Sequence, residues 1–332
     1  MESFRLKMNE LGSKECPFLF LIDYEMQAPK IWELDEIDSN ELLFDINGVS
    51  NFHLKTPNDH SENVFLEKFP VSFDTYKAAF EKVQAAIQQG DTYLANLTFA
   101  TKVLTSMELR QLIEQTKAPY RFYWKDHCGF FSPESFIRIE DQKIKSFPMK
   151  GTIRADIPNA RALLLDNAKE KAEHATITDL IRNDLSQVAE RVRVERYRYV
   201  EEIEHQSGRL LQTSTEIVGD LEPDYCSHLG DILLKLLPAG SISGAPKART
   251  VEILAEAEVG PRGYYTGVLG YFDGNNLDSC VAIRYLEQDG DDLWYRSGGG
   301  LTYFSDVKSE YEELLQKIYL PIVSKNKSMP TC

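Results

Sequence analysis

No apolar run in this chain approaches the ~20 residues needed to cross a bilayer. The longest, Phe18–Ile22, has five. The N-terminus, Met1-Glu2-Ser3-Phe4-Arg5, lacks the apolar core of a signal peptide. Cysteine is sparse. Five residues, at 16, 128, 226, 280 and 332, stand apart with no Cys-x-x-Cys pair. That scatter indicates neither a disulfide framework nor a zinc site, and it fits a reducing cytoplasm. Positive charge is in deficit: 37 Lys and Arg against 52 Asp and Glu leave a net charge of −15. A nucleic-acid binder needs a basic footprint, so no nucleic-acid partner is expected. A small anionic ligand must then be met by local cations or a metal, because steering depends on the field at the cleft. What is present is ordinary for a soluble globular protein, with 42% hydrophobic and 27% charged residues. The 332 residues suffice for one large domain or two small ones.

Alternating apolar and polar residues predict short strands over 17–25, 30–37 and 42–48, read as a meander. Residues 55–70 are polar, hold two prolines and read as a loop. Tyr76, Phe80, Val83 and Ile87 recur at helical spacing over 74–89, with Asp74 as the expected N-cap and Gly90 as the stop. A strand is expected over 92–104, and helix over 159–188 with a break near Asp166-Asn167. Strands over 264–272, 279–287 and 292–297 are joined by Asp273-Gly274-Asn275-Asn276 and Asp289-Gly290-Asp291-Asp292 turns. A last helix runs from about Asp306 to Tyr319, stopped by Pro321, and the residues from Ser324 read as a loose tail. Hairpins with helices between groups of strands indicate an α+β fold rather than a parallel array. A short β-rich segment, 1–70, is expected to pack on a larger domain, 71–323.

Three features carry possible chemistry. Phe136–Glu140 and Lys143–Phe147 read as a hairpin. Pro148 then ends the pairing, which places Lys150 at a strand end in a Gly151-Thr152 turn. A lysine held there is a candidate amine nucleophile, although Lys-Gly-Thr alone reads as an ordinary surface turn. Glu310, Glu313 and Lys317 share one face of the last helix, opposite Tyr311, Leu314 and Ile318. On spacing alone that is a solvated face with a weak ion pair. The run Gly298-Gly299-Gly300 is a weak anion-nest signal.

These tracts occur in order with several others. They include Gly90-Asp91-Thr92-Tyr93, Phe131-Ser132-Pro133-Glu134-Ser135-Phe136, Ala172-Glu173-His174, the Asp179–Asp184 tract and the Pro238–Lys247 tract. Gly267–Tyr271, Ala282-Ile283-Arg284 and Ser309–Glu313 follow. Together, over about residues 75–320, the chain resembles the chorismate-binding family. That family includes aminodeoxychorismate synthase component I, anthranilate synthase component I, and isochorismate and salicylate synthases. The resemblance implies large antiparallel sheets packed together with helices outside. It implies Mg²⁺ held by Glu173 and Glu313 with Glu310 close by, two separate carboxylates suiting an ion that keeps waters and takes substrate oxygens. It makes Glu134 the general acid, which must hold a proton to act. Lys150 becomes the nucleophile, which must offer a neutral amine. Arg284, Lys317 and the Gly298, Gly299 and Gly300 amides would face substrate carboxylates, with Gly151, Thr152 and Tyr265 lining the cavity. The Pro238–Lys247 loop reads as architectural. One departure stands out: Gln212 occupies a position where many relatives carry histidine.

Within the family, two positions discriminate. Anthranilate synthases usually carry a small residue where this chain has Lys150. Isochorismate and salicylate synthases activate water with a lysine where it has Leu94. The resemblance therefore implies conversion of chorismate and ammonia to 4-amino-4-deoxychorismate. Anthranilate synthase component I and a catalytically dead binding subunit are the alternatives. None of the five cysteines lies in a Gly-x-Cys-x-Gly segment, so ammonia is expected from solution or from a separate glutamine amidotransferase subunit.

Overall fold

The computed structural model describes residues 1–52, 65–205 and 208–320. The expected stop at Pro321 and the tail from Ser324 lie outside them. The chain begins with α1 (Glu2–Ser13), β1 (Phe18–Ile22), β2 (Lys30–Glu33), β3 (Leu42–Ile46), β4 (Val49–Ser50) and β5 (Leu66–Phe69). Next come α2 (Phe73–Gln89), β6 (Leu94–Thr105), α3 (Leu109–Gln115), β7 (Tyr120–Trp124), β8 (Cys128–Ser132), β9 (Ser135–Glu140), β10 (Lys143–Ser146) and β11 (Met149–Arg154). Helices α4 (Ala160–Asp166) and α5 (Ala168–Leu185) precede β12 (Glu190–His205) and β13 (Gly208–Asp220). Then follow α6 (Leu229–Leu236), β14 (Gly244–Ala245), α7 (Lys247–Ala257), β15 (Val268–Phe272), β16 (Leu277–Val281), β17 (Tyr285–Asp289), β18 (Asp292–Leu301) and α8 (Val307–Gln316).

The strands form two nine-stranded sheets whose pairings are antiparallel. The first runs β11-β13-β10-β9-β16-β15-β1-β2, with β12 on the far side of β13. The second runs β14-β6-β18-β17-β8-β7-β3-β4, with β5 beside β6. The α+β expectation holds. Strand β1 shows how the layers stack. Phe18, Phe20 and Ile22 pack with Phe4 and Met8 of α1 and Ile177 and Ile181 of α5. Leu19 and Leu21 point the other way, onto Phe44, Phe122 and Phe130 of the second sheet. Both faces of the strand are covered, which is why its sequence is apolar without alternation. Helices α2, α7 and α8 close the outer face of the second sheet around Ala95, Leu97 and Phe99. No described helix is long and apolar enough to cross a membrane. Cys16, Cys128, Cys226 and Cys280 are free thiols.

Several expected elements are redrawn. The first three strands are not one meander, because β3 leaves β2 after a 3-10 turn at Leu34–Glu36 and joins the second sheet. The expected boundary near residue 70 falls between β5 and α2, and the strands before it sit inside both sheets. Helix α1 carries Phe4, Met8 and Leu11 at helical spacing, a signal the opening residues concealed by their charge. Ser72, not Asp74, caps α2 by accepting from Thr75 N at 3.2 Å, while Gly90 ends it at φ 82°. The expected strand 279–287 is two strands in different sheets, and Arg284, at φ 54°, stands at the crossing.

One buried ion pair ties these layers. Arg262 Nη2 donates to Glu258 Oε1 at 2.6 Å and Nε to Oε2 at 2.8 Å, with side chains 1% and 7% exposed. Arg262 also donates to the carbonyls of Asn96 on β6 and Ile242 at 2.5 and 3.0 Å. Glu258 accepts from the Thr98 amide at 2.9 Å. The guanidinium lies 4.3 Å from the centre of the Tyr24 ring.

Removing one partner strands the other's charge. Arg262→Met is expected to cost about 3–5 kcal/mol of unfolding free energy, because Glu258 is left buried without its cation. Urea denaturation of Arg262→Met beside the Arg262→Met/Glu258→Gln double variant checks this. The double variant should recover part of the loss, and a single variant within experimental scatter of the parent would refute the assignment.

Candidate active site

Three clusters gather the residues singled out in the sequence. The first lies where α8 meets β18. Asp306 caps α8 by accepting from the Lys308 and Ser309 amides, which sets the helix phase. Leu314 and Ile318 turn inward, fully buried. Glu310, Glu313 and Lys317 turn toward the glycine run: a β-carbon on Gly299 would lie 3.4 Å from Glu310 Oε2, 3.9 Å from Glu313 Oε1 and 4.0 Å from Lys317 Nζ. Lys317 Nζ sits 2.7 Å from Glu313 Oε1 and donates to Gly298 O at 2.8 Å. Glu310 is 7% exposed and accepts from Ser305 Oγ at 2.7 Å.

Among the described residues, strand pairing leaves one edge of the glycine run without a strand partner, although Gly298 and Gly299 are buried. On one side Gly298, Gly299 and Gly300 pair with Thr98, Leu97 and Asn96 of β6. On the other, β17 pairs with β18 only as far as Arg296, because the chain arrives through the bend at Arg284. Arg284 Nε donates to Tyr319 OH at 3.2 Å, and its guanidinium lies 5.1 Å from that ring's centre. Tyr265 is 4% exposed, and burial pushes its phenol up to about 12 despite the nearby charges of Arg262 and Arg284. It is a hydroxyl throughout the neutral range.

The second cluster corrects the expectation for Lys150. Pro148 does not end the pairing. Its carbonyl accepts from Thr215 N at 3.1 Å, and the chain pairs again as β11 with the same long β13 that holds β10. Lys150 lies inside β11, opposite Thr213, at an irregularity between Lys150 and Thr152 where Gly151 takes φ 78°. The Thr213 hydroxyl donates to Lys150 O. A β-carbon on Gly151 would stand 3.1 Å from Glu170 Oε2, so the first turn of α5 closes over this bend. Glu173 is half-buried on α5, one residue before the fully buried His174. His174 Nε2 lies 2.6 Å from Thr215 Oγ1, which accepts from Arg198 N at 3.0 Å. Burial first, then the charges of Arg198 and Lys150, hold the imidazole's pKa down to about 4. Gln212, the residue at the family's frequent histidine position, pairs directly with Thr152.

The third cluster surrounds Glu134, at the entry to β9. Its amide is held by Ser132 Oγ at 3.1 Å, and its carbonyl accepts from Val281 N at 3.1 Å. Ser241 Oγ donates to Glu134 Oε1 at 2.6 Å. Ser241 was within reach of sequence reading, inside the Pro238–Lys247 tract, but nothing in the sequence aims its hydroxyl. Tyr319 likewise carried no signal, because its partnership with Arg284 depends on the crossing between sheets.

Among the described residues no group of three or more His, Cys, Asp and Glu side chains is placed to hold a metal ion. Two carboxylates do converge beside Gly299, and that all-oxygen pair fits a hard cation such as Mg²⁺.

The model of chorismate binding enzymes matches residues 24–322. The chain belongs to this family. An uncharacterised PabA-like protein of Pasteurella multocida is 48% identical, over 97% of this chain and 99% of its own. Aminodeoxychorismate synthase component 1 of Bacillus subtilis is 29% identical, over 96% of this chain and 73% of its own. The crystal structure of anthranilate synthase component I from Streptococcus pneumoniae matches with a TM-score of 0.67 at 26% identity, over 76% of this chain and 58% of that one. The paired antiparallel sheets with outer helices are thus the fold that the family resemblance implied.

Two adjacent glycines are needed for different reasons, and alanine separates them. On Gly298 a β-carbon would fall 2.6 Å from Thr98 Cγ2 and 2.8 Å from Leu97 O, so Gly298→Ala should cost about 1–3 kcal/mol by overpacking. On Gly299 the nearest atoms begin at 3.4 Å, an ordinary contact, so Gly299→Ala should leave stability within about 0.5 kcal/mol. Urea midpoints of the two variants measure the contrast, and equal losses would contradict it.

Proposed function

We propose that this chorismate-binding enzyme is the aminating component of an aminodeoxychorismate synthase. It converts chorismate and ammonia to 4-amino-4-deoxychorismate. The observation that carries the reading is the pair of positions 150 and 94. An amine, Lys150, stands on the irregular strand β11. Leu94, with no amine, lies beside the glycine run, its Cδ1 3.4 Å from where a β-carbon of Gly300 would be. A water-activating lysine at 94 would favour hydroxylation, whereas a lysine at 150 favours covalent attack.

In this reading the neutral Lys150 amine attacks C2 of chorismate. Both ring double bonds shift, and the C4 hydroxyl leaves as water with the proton of Glu134. Ammonia then adds at C4, both double bonds shift back, and the Lys150–C2 bond breaks with its electron pair returning to the lysine. Arg284 offers a guanidinium fork to one substrate carboxylate. Lys317 and the Gly298–Gly300 backbone face another, with Gly151, Thr152 and Tyr265 around the ring. Glu313 and Glu310, which converge beside Gly299, would hold Mg²⁺ and so offset the carboxylate's charge; the family resemblance adds Glu173 as a further ligand, although the ligand-free protein does not gather the three into one group. The Lys317–Glu313 contact keeps two of these charges balanced in the ligand-free protein. Ammonia from glutamine needs a separate amidotransferase subunit, because this chain has no glycine-flanked cysteine nucleophile.

Lys150→Ala is expected to lower ammonia-dependent turnover by orders of magnitude and to leave the unfolding midpoint close to the parent's. Mass spectrometry of the product from chorismate, Mg²⁺ and an ammonium salt tests both role and reaction. An aromatic, fluorescent product would indicate anthranilate synthesis instead. Near-parent rates from the variant would remove the nucleophile.

The nitrogen source gives an independent check. The pure chain should use ammonium salts, with a rate that climbs with pH as NH₃ replaces NH₄⁺, and should be inert with glutamine alone. Adding an amidotransferase subunit should restore glutamine use. Glutamine turnover by the lone, contaminant-free chain contradicts the two-subunit reading.

A further inference from the structure

Two tracts of the sequence have no part in the chemistry so far: Asp179–Asp184 at the end of α5, and Pro238–Lys247. They meet behind Glu134. A narrow cavity of about 30 Å³ lies there, walled by Glu134, Ser146, Asp184 and Ser241 among apolar neighbours such as Phe136 and Leu236. That volume holds a water, and the polar walls give it partners. Ser241 Oγ donates to Glu134 Oε1 at 2.6 Å on one side of this space. On the other, Asp184, 8% exposed, receives Lys247 Nζ on Oδ2 at 2.8 Å. Lys247 also donates to Leu236 O at 2.9 Å, which anchors it to the end of α6. A β-carbon on Gly240 would stand 2.9 Å from Asp184 Oδ2, so loop and acid are in contact.

The chemistry creates a need that this arrangement meets. Glu134 gives one proton to the departing hydroxyl, and ammonia that enters as NH₃ leaves on the product as an ammonium group. Each turnover therefore consumes one proton, and Glu134 must regain it. We propose that Asp184 returns this proton to Glu134 through a water in the cavity, with Ser241 as the positioning residue that fixes the Glu134 carboxyl. This rests on the reading of Glu134 as general acid. Asp184 gives its proton to the water, the water gives one to Glu134, and Asp184 is recharged from solvent. Burial pushes the Asp184 carboxyl up, while Lys247 opposes the shift, so the acid retains a proton more readily than an exposed aspartate. Lys247 from α7 and Glu134 across the cavity are the charged groups that face it.

Asp184→Asn keeps an oxygen for Lys247 but carries no proton to give. With chorismate, Mg²⁺ and ammonium salt, rapid-quench sampling should show the first turnover at the parent's rate, since the relay acts only after Glu134 has given up its proton. Later turnovers should slow by about 100-fold, the usual worth of positioned proton transfer. kcat/KM should stay within about twofold of the parent's, so that KM falls together with kcat, as for a slowed step that follows the first chemistry, and added acetic or formic acid should restore the rate. A first turnover slowed as much as the rest, without rescue by small acids, marks a purely structural role and overturns the relay. So does an Asp184→Asn steady-state rate equal to the parent's. Glu134→Gln, run in parallel, should fail already in the first turnover. If it matches the parent, the acid assignment falls and the relay with it.

Discussion

Arg262 and Glu258 share an ion pair that water barely reaches, and the parts that carry the site hang on it. The guanidinium spends its donors on three places at once: the carboxylate beside it, a carbonyl of β6, and a carbonyl of the turn that bears Ser241. Its amide, and that of Gly263, are received by Glu25 in the loop after β1. Tyr265 follows three residues on. A charge this deep tolerates little displacement, since any lost donor leaves an unsatisfied carbonyl or carboxylate. The pair therefore acts as a locating pin between the two sheets. It sets where the Glu134–Ser241 contact, the Tyr265 hydroxyl and the start of β6 stand relative to one another.

The electrostatics follow the same economy. In a chain of net charge −15, Arg284 stands at a bend between strands, Lys150 at an irregularity inside β11 and Lys317 at the C-terminal end of α8. Each is held by something other than a simple surface ion pair. Arg284 leans on an aromatic ring, Lys317 spans a carboxylate and a backbone carbonyl, and Lys150 is fixed through its own carbonyl by Thr213. His174, neutral beside two cations, adds no repulsion near Lys150.

How much of this was legible in the sequence depended on whether the cause was local. The shared face of Glu310, Glu313 and Lys317 follows from helical period, and α8 bears it out. That this face meets Gly299 follows from packing, and only the coordinates show it. Ser72 outranked Asp74 as a cap because the helix began one residue earlier than its apolar period suggested. Lys150 was expected at a strand end because Pro148 cannot donate to a ladder. The expectation failed because β13 is long enough to take up the chain again on the far side of the proline. The crossing at Arg284 was invisible, since nothing in Ala282-Ile283-Arg284 announces a left-handed residue. Strands β12 and β13 escaped notice: β12 is dense in arginine and glutamate, and its alternation over Arg191–Val194 changes phase before it resumes over Arg196–Tyr199.

That last strand has a consequence of its own. Among the described residues β12 pairs only with β13 and so presents one unpaired edge, the kind of surface on which sheets of separate molecules can join. It is a poor template. Its register slips between Glu190 and Arg193, between Val194 and Arg196, and between Arg196 and Tyr199, so its free amides do not form an even row. Arg191 and Arg196 stand out along it, tied to Asp220 and Glu216. A second chain arriving edge-on would have to match three irregularities and dehydrate that row of ions. The irregular register and the row of ion pairs thus guard this edge of the sheet against a second strand.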